Sequence, residues 1–208
     1  YTNYLYVQLI LDFIKDVIGE RTDVVSSGAS SGILLMACSV QNDLIGKAVL
    51  VNPENLLISA KTPGKFAELY RTVICTPVIG TFLYNIMVNK KTIEKDFRLD
   101  YYYDQNKITE KDIMYFYEAS QKHHTKGKYL YANINSGFTN TNIIHGLRNI
   151  TQPIYIFTGK ENPENILAAN QYQNYLPDTH IVELEKTKRF PHMERPEYFI
   201  DNLESLYL

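Results

Sequence analysis

The chain has little cysteine, no tryptophan, no long apolar run and no excess of either charge. Of 208 residues two are cysteine, Cys38 and Cys75. Two thiols so far apart make no disulfide framework and no metal-ligand spacing, and read as reduced core thiols of a cytoplasm-like compartment. Lys and Arg number 21 against 23 Asp and Glu, a net charge of −2, with both signs scattered along the chain. No basic stripe offers itself to nucleic acid, and no acidic block forms a solvating tail. A bilayer span needs about 20 consecutive apolar residues. The nearest approach, VICTPVIGTFLYNIMV at 73–88, is broken by Pro77, Gly80 and Asn85. No signal peptide is legible, which favours a cytoplasmic location. The chain does not begin with Met, and Tyr1 stands at the start of what reads as a helix. The sequence therefore reads as N-terminally truncated, and any signal or membrane anchor would be lost with the missing part.

Hydrophobic residues make up 45% of the chain and charged residues 21%. That is a globular balance, in a length that suits one domain or a domain with an inserted cap. Tyr4, Val7, Leu11, Ile14 and Ile18 recur at helical steps up to Gly19, which predicts an amphipathic helix with a glycine stop. DVVSS is a short strand, ILLMACSV a helix apolar nearly all round, and KAVLVNP a second strand stopped by Pro53. Strand, tight turn, buried helix and strand make a βαβ crossover and imply a parallel sheet.

From about Leu56 to Asn149 the pattern is helical. Thr62-Pro63 predicts a helix start, with Thr as N-cap and Pro at the first helical position. Thr109 and Asp112 fit a capping box ahead of IMYFYEAS. Sheet pattern returns in QPIYIFTG, followed by a helix at 166–175, the strand HIVELE, the loop KTKRFPHMERP and a last helix, PEYFIDNLESLYL. The divisions are 1–55, a first part of a core; 56–150, a helical cap; and 151–208, a second part of the core. His123-His124 lies in a polar stretch and reads as solvated surface; His145 and His180 read as structural.

One stretch, SSGASSGILLMA at 26–37, reads in two ways. GASSGI is like the glycine-rich turn of a short-chain dehydrogenase, and Tyr103 and Lys107 supply the Y-x-x-x-K that goes with it. Against this, Leu34 stands where the last glycine of G-x-x-x-G-x-G belongs. A whole helix precedes the loop, and the tyrosine lies too near it in sequence. The second reading is G-x-S-x-G over Gly28, Ser30 and Gly32, a nucleophile elbow. There the serine sits on a strained strand-to-helix turn with small residues two before and two after. The N–H of Ser31 would face an oxyanion, aided by the helix N-terminus. His192, on a loop after the last strand, stands where the base of such a serine belongs.

On GASSG, QPIYIFTGKEN and FPHMERPEYFI the chain resembles the α/β-hydrolase superfamily, in its serine-nucleophile branch with a helical cap. The resemblance implies an α/β three-layer sandwich with a mostly parallel sheet and an inserted cap, and covers nearly the whole chain. It implies Ser30 as nucleophile, His192 as base and Ser31 as oxyanion donor. The triad acid is displaced: three residues after Gly159 stands Asn162, which can orient an imidazole but adds no charge. In a serine protease the equivalent Asp→Asn change costs about 10⁴ in turnover. Glu161 on the same loop and Glu54 after the second strand are level candidates to replace it, and Glu164 reads as surface. The family's strands ahead of the elbow strand are absent, so that strand is expected to be a bare edge with apolar faces exposed, in a fragment that is poorly stable and inactive alone.

The implied reaction is hydrolysis of a small or medium apolar ester or related acyl substrate through an acyl-enzyme, with no organic cofactor and no metal. The expected partner is a small molecule and not nucleic acid; nothing in the sequence speaks to oligomeric state. Two alternatives stand beside it. Asn162, and Ala29 where many active members have His, suit a degenerate hydrolase that binds without turnover. A Ser–His pair could also run a non-hydrolytic reaction such as cyanohydrin cleavage. A serine at the elbow argues against the dehalogenases and epoxide hydrolases, which carry Asp there.

Overall fold

The computed structural model describes residues 2–207, leaving aside the side chains of 123–125. His123 and His124, expected at the surface, fall outside the described residues. The chain divides into two compact units, Tyr1–Ala60 with Thr141–Leu208, and Lys61–Asn140.

The first unit begins with α1 (Asn3–Phe13), capped by the Thr2 hydroxyl and prolonged by a π-helical turn, Ile14–Ile18. Gly19, at φ +76°, ends it by donating its N–H to the Ile14 carbonyl, the left-handed stop that glycine makes without a Cβ clash. β1 (Thr22–Ser27), α2 (Ser30–Val40) and β2 (Ile45–Val51) form the expected βαβ unit, and β1 pairs parallel to β2. A one-turn helix, α3 (Leu56–Ser59), follows under the cap of Asn55.

The second unit is helical: α4 (Lys65–Cys75), α5 (Ile79–Met87), α6 (Lys90–Asp96), α7 (Glu110–Thr125) and α8 (Gly127–Asn135). The capping box forms at α7. Thr109 Oγ1 accepts the Asp112 N–H at 3.2 Å, and an Asp112 carboxylate oxygen accepts the Thr109 N–H at 3.1 Å. The start expected at Thr62-Pro63 does not form: α4 begins at Lys65, with Gly64 as an extended N-cap. Glycine serves at an N-cap nearly as well as a hydroxyl residue, so the helix starts after it.

The chain returns to the first unit for β3 (Ile154–Gly159), α9 (Pro163–Tyr175), β4 (His180–Leu184), α10 (Pro191–Glu194) and α11 (Pro196–Glu204). The sheet order is β1-β2-β3-β4, parallel throughout. β2 and β3 are apolar on both faces because helices cover both, as parallel sheets require. On one face α1, α2 and α9 bury Leu11, Leu34, Leu35, Leu50, Ile156 and Tyr172 together. On the other, Val49, Val51, Phe157 and Leu184 pack with Phe199 of α11. β1 is an edge strand, and Val25 is half-exposed on it. Among the described residues no helix is long and apolar enough to cross a membrane.

Candidate active site

The carboxyl ends of the four parallel strands carry the residues singled out in the sequence. At the end of β1 the Gly28 N–H completes the ladder, donating to the Val51 carbonyl at 2.9 Å. Gly28 then turns to φ +60°, and α2 begins two residues later. The sequence places the strained turn at Ser30; the structure places it at Gly28. Ser30 lies in the first turn of α2, and among the described residues the non-glycine positions with positive φ are Asn52 and Lys186. The physical reason is steric: in a run of small residues the left-handed position falls to the one without a Cβ.

Ser30 Oγ is exposed, but its bonds run back to the strand. It donates to the Ser27 carbonyl at 2.8 Å and accepts the Ser27 N–H at 3.1 Å. Ser31 is buried, with its Oγ 3.2 Å from that of Ser26. Its N–H, read as an oxyanion donor, instead donates to the Gly28 carbonyl at 3.1 Å and closes the turn. Gly32 allows a close approach of another kind than the sequence suggests: a Cβ there would lie 3.2 Å from that of Thr141.

His192 stands inside the short helix α10, not on an open loop. Pro191 at the first helical position starts that turn. The His192 ring meets those of Phe190 and Phe199 edge-on, each at 5.9 Å between centroids. Its Nδ1 is buried and has no hydrogen-bond partner. Burial lowers its pKa, since the charged form loses hydration. The neutral tautomer with the proton on Nε2 suits this setting, because it buries a lone pair and not an unmet N–H.

The three acid candidates are each engaged elsewhere. Asn162 caps α9, its Oδ1 accepting the Glu164 N–H at 3.0 Å. Glu161 accepts the Lys186 N–H at 3.2 Å from an exposed position. Glu54 accepts from the Ser59 hydroxyl at 3.5 Å, and its carbonyl takes the Tyr172 hydroxyl at 3.1 Å. None bonds to His192.

A residue the sequence reading passed over organises this end of the sheet. Asn52, directly after β2, is buried at φ +43°, a conformation asparagine tolerates better than most. Its Nδ2 donates to the carbonyls of Lys188 and Arg189 at 2.8 Å each, and its Oδ1 accepts the Gly159 N–H at 2.8 Å. One side chain thus joins the ends of β2 and β3 to the segment ahead of His192. Glu194, also buried, closes that segment by accepting the Lys188 N–H at 3.1 Å. The signal for Asn52 was present as Asn-Pro at a strand end, a turn-forming pair.

No protein-family model matches the chain, and no curated protein matches it. Solved structures do. A serine hydrolase, CCSP0084, from Cycloclasticus zankles aligns over 99% of this chain and 70% of its own, with 16% identity and a TM-score of 0.72. Est816, described as an N-acyl homoserine lactone degrading enzyme, aligns over 99% and 74%, with 11% identity and a TM-score of 0.72. MenH from S. aureus aligns over 98% and 74%, with 12% identity and a TM-score of 0.70. The chain has the α/β-hydrolase fold. At these identities the likeness carries the fold, and the chemistry must be argued from the side chains.

In open α/β sheets ligands sit outside the carboxyl ends of the strands. In this α/β-hydrolase fold those ends hold Gly28, Asn52, Asn162 and the segment leading to His192. A cavity of about 490 Å³ lined by Gln152, Tyr155, Asp178 and His180 lies at the opposite, amino-terminal ends of β3 and β4. There His180 stacks on Tyr155 at 5.4 Å. Among the described residues no group of three His, Cys, Asp or Glu side chains could hold a metal ion.

Proposed function

We propose that the chain binds a small or medium, largely apolar ester or related acyl compound at the carboxyl ends of its strands, without serine-dependent turnover. The helical unit 61–140 takes the part of the cap. The acyl class follows the fold: its solved neighbours include a serine hydrolase and a protein described as degrading an N-acyl homoserine lactone. The observation that carries the reading is the state of the triad candidates. Ser30, Glu54, Glu161 and Asn162 bond to their own neighbourhoods, and the buried nitrogen of His192 bonds to nothing. A serine hydroxyl is a weak nucleophile until a base held by a third group takes its proton, and no such chain of bonds joins these residues.

A second reading, hydrolysis through Ser30 and His192 with Glu161 or Glu54 as the acid, is favoured by the exposure of the Ser30 hydroxyl at the N-terminus of α2. One experiment separates the two. The protein is treated with a fluorophosphonate and its intact mass is read, with Ser30→Ala and His192→Ala as controls. An unchanged mass of the folded wild type is expected. A mass gain lost in both variants would establish a working Ser30–His192 pair and overturn binding without serine-dependent turnover.

A further inference from the structure

We infer that Gly28 stands at the nucleophile's place of this fold, so that an acyl ligand's carbonyl group lies over Gly28 with no hydroxyl to attack it. The inference rests on the proposed acyl ligand and names the residue that accounts for the missing turnover. Three observations on the turn carry it. First, a nucleophile elbow puts its attacking residue at the sharp, strained point between strand and helix. Here that point is Gly28: the last ladder bond of β1 is its own N–H, its φ is +60°, and α2 follows after Ala29. Second, the residues two before and two after such a point must be small. Around Gly28 these are Ser26 and Ser30, whose side chains pack within the turn, Ser26 Oγ on Ser31 Oγ and Ser30 Oγ on the Ser27 backbone. Third, a Cβ placed on Gly28 would meet no heavy atom within 4 Å, so the place of a nucleophilic side chain is open.

Ser30 then has a different task. Its hydroxyl bonds both polar groups of the Ser27 backbone, and it acts as a positioning residue for the turn. The residue after the strained point is Ala29, and its N–H takes the oxyanion-facing part that the sequence reading gives to Ser31, whose own N–H is held by Gly28.

A cysteine needs no partner base to attack an activated ester, so it reports where the carbonyl carbon sits. Gly28→Cys and Ser30→Cys, each in a Cys75→Ser background, are treated with p-nitrophenyl butyrate. The thiolate sulfur bonds to the carbonyl carbon, p-nitrophenolate leaves, and intact mass and peptide mapping read the butyryl thioester. Acylation at residue 28 at least tenfold faster than at residue 30 is expected, with residue 30 no faster than free glutathione. Faster acylation at residue 30 overturns the inference, and it can be read from Ser30→Cys alone should the cysteine at a positive φ impair folding. A fluorophosphonate adduct on wild-type Ser30 would instead overturn the proposed function, so the two failures are told apart.

Discussion

The ends of β1 and β2 lie side by side in one sheet, yet they are built in opposite ways. At the end of β1 there is room: Gly28 has no neighbour where a side chain would go, and Ser30 is exposed. At the end of β2 there is none. Asn52 is buried under three side-chain hydrogen bonds, and the backbone of Gly159 runs so close to the Lys188 carbonyl that a Cβ would collide with it. The frame that holds the segment leading to His192 is tightly bonded, while Ser30, Glu161 and Asn162 bond within their own neighbourhoods. Frame and chemistry are separable, as they are wherever one fold serves many functions.

Substitutions test this contrast. The largest effect is expected at Gly159→Ala, where the new Cβ must push the Lys188 backbone aside. Overpacking against backbone predicts a loss of about 3 kcal/mol in chemical denaturation. Asn52→Ala follows, at about 2–3 kcal/mol, because it takes the acceptor from the buried Gly159 N–H and one donor from each of the Lys188 and Arg189 carbonyls. Asn52→Gly relieves the positive φ but loses the same bonds, so it should recover about 1 kcal/mol at most. If Asn52→Ala proved neutral, the clasp would be incidental. At the open end Gly28→Ala should cost about 1–2 kcal/mol, all of it from the left-handed backbone and none from collision. A larger loss would show that the space above Gly28 is filled. Asn162→Ala should cost about 1 kcal/mol by loss of the α9 cap, with no change in the binding of an acyl probe; weakened binding would return Asn162 to the site.

The smallest effect concerns pH. Burial holds the folded pKa of His192 below its unfolded value of about 6.5. Below that value the unfolded chain binds the proton more readily than the folded one, so stability falls as pH drops from about 6.5 toward the folded pKa. Above it the group makes no pH-dependent difference. His192→Phe should flatten this part of the stability curve; an unchanged slope would mean that another group titrates there.

Much of the sheet was legible because its signals are redundant. IYIFTG and KAVLV are apolar runs too short for helices and bounded by Pro and Gly, and the βαβ order fixes a parallel sheet. The site was less legible because its decisive features are conformational. SSGASSG satisfies the small-residue rule around Ser30, with Gly28 and Gly32, and equally around Gly28, with Ser26 and Ser30. Letters do not choose between these registers; the backbone dihedral does. Asn162 was legible as a departure from an acid, but its capping bond follows from Pro163 and Glu164 beyond it. The burial of Glu194 has no local signature, since it depends on the path of residues 185–190. Thr62-Pro63 failed as a helix start because Gly64 offered a later one.

The position of the helical unit bears on how the sheet assembles. The strands are added in chain order, each new one beside the last, but β2 ends at Val51 and β3 begins at Ile154. Closing so long a connection as a flexible loop costs roughly 2 kcal/mol more than closing one of about ten residues. The helical unit removes that penalty if it forms first, because its two ends are already together: the Asn140 side chain donates to the Lys61 carbonyl at 3.0 Å. Helix-rich segments with local contacts fold fastest. The insertion then works as a prefabricated hinge pin, turning a hundred-residue search into a short one before β3 arrives to pair with β2.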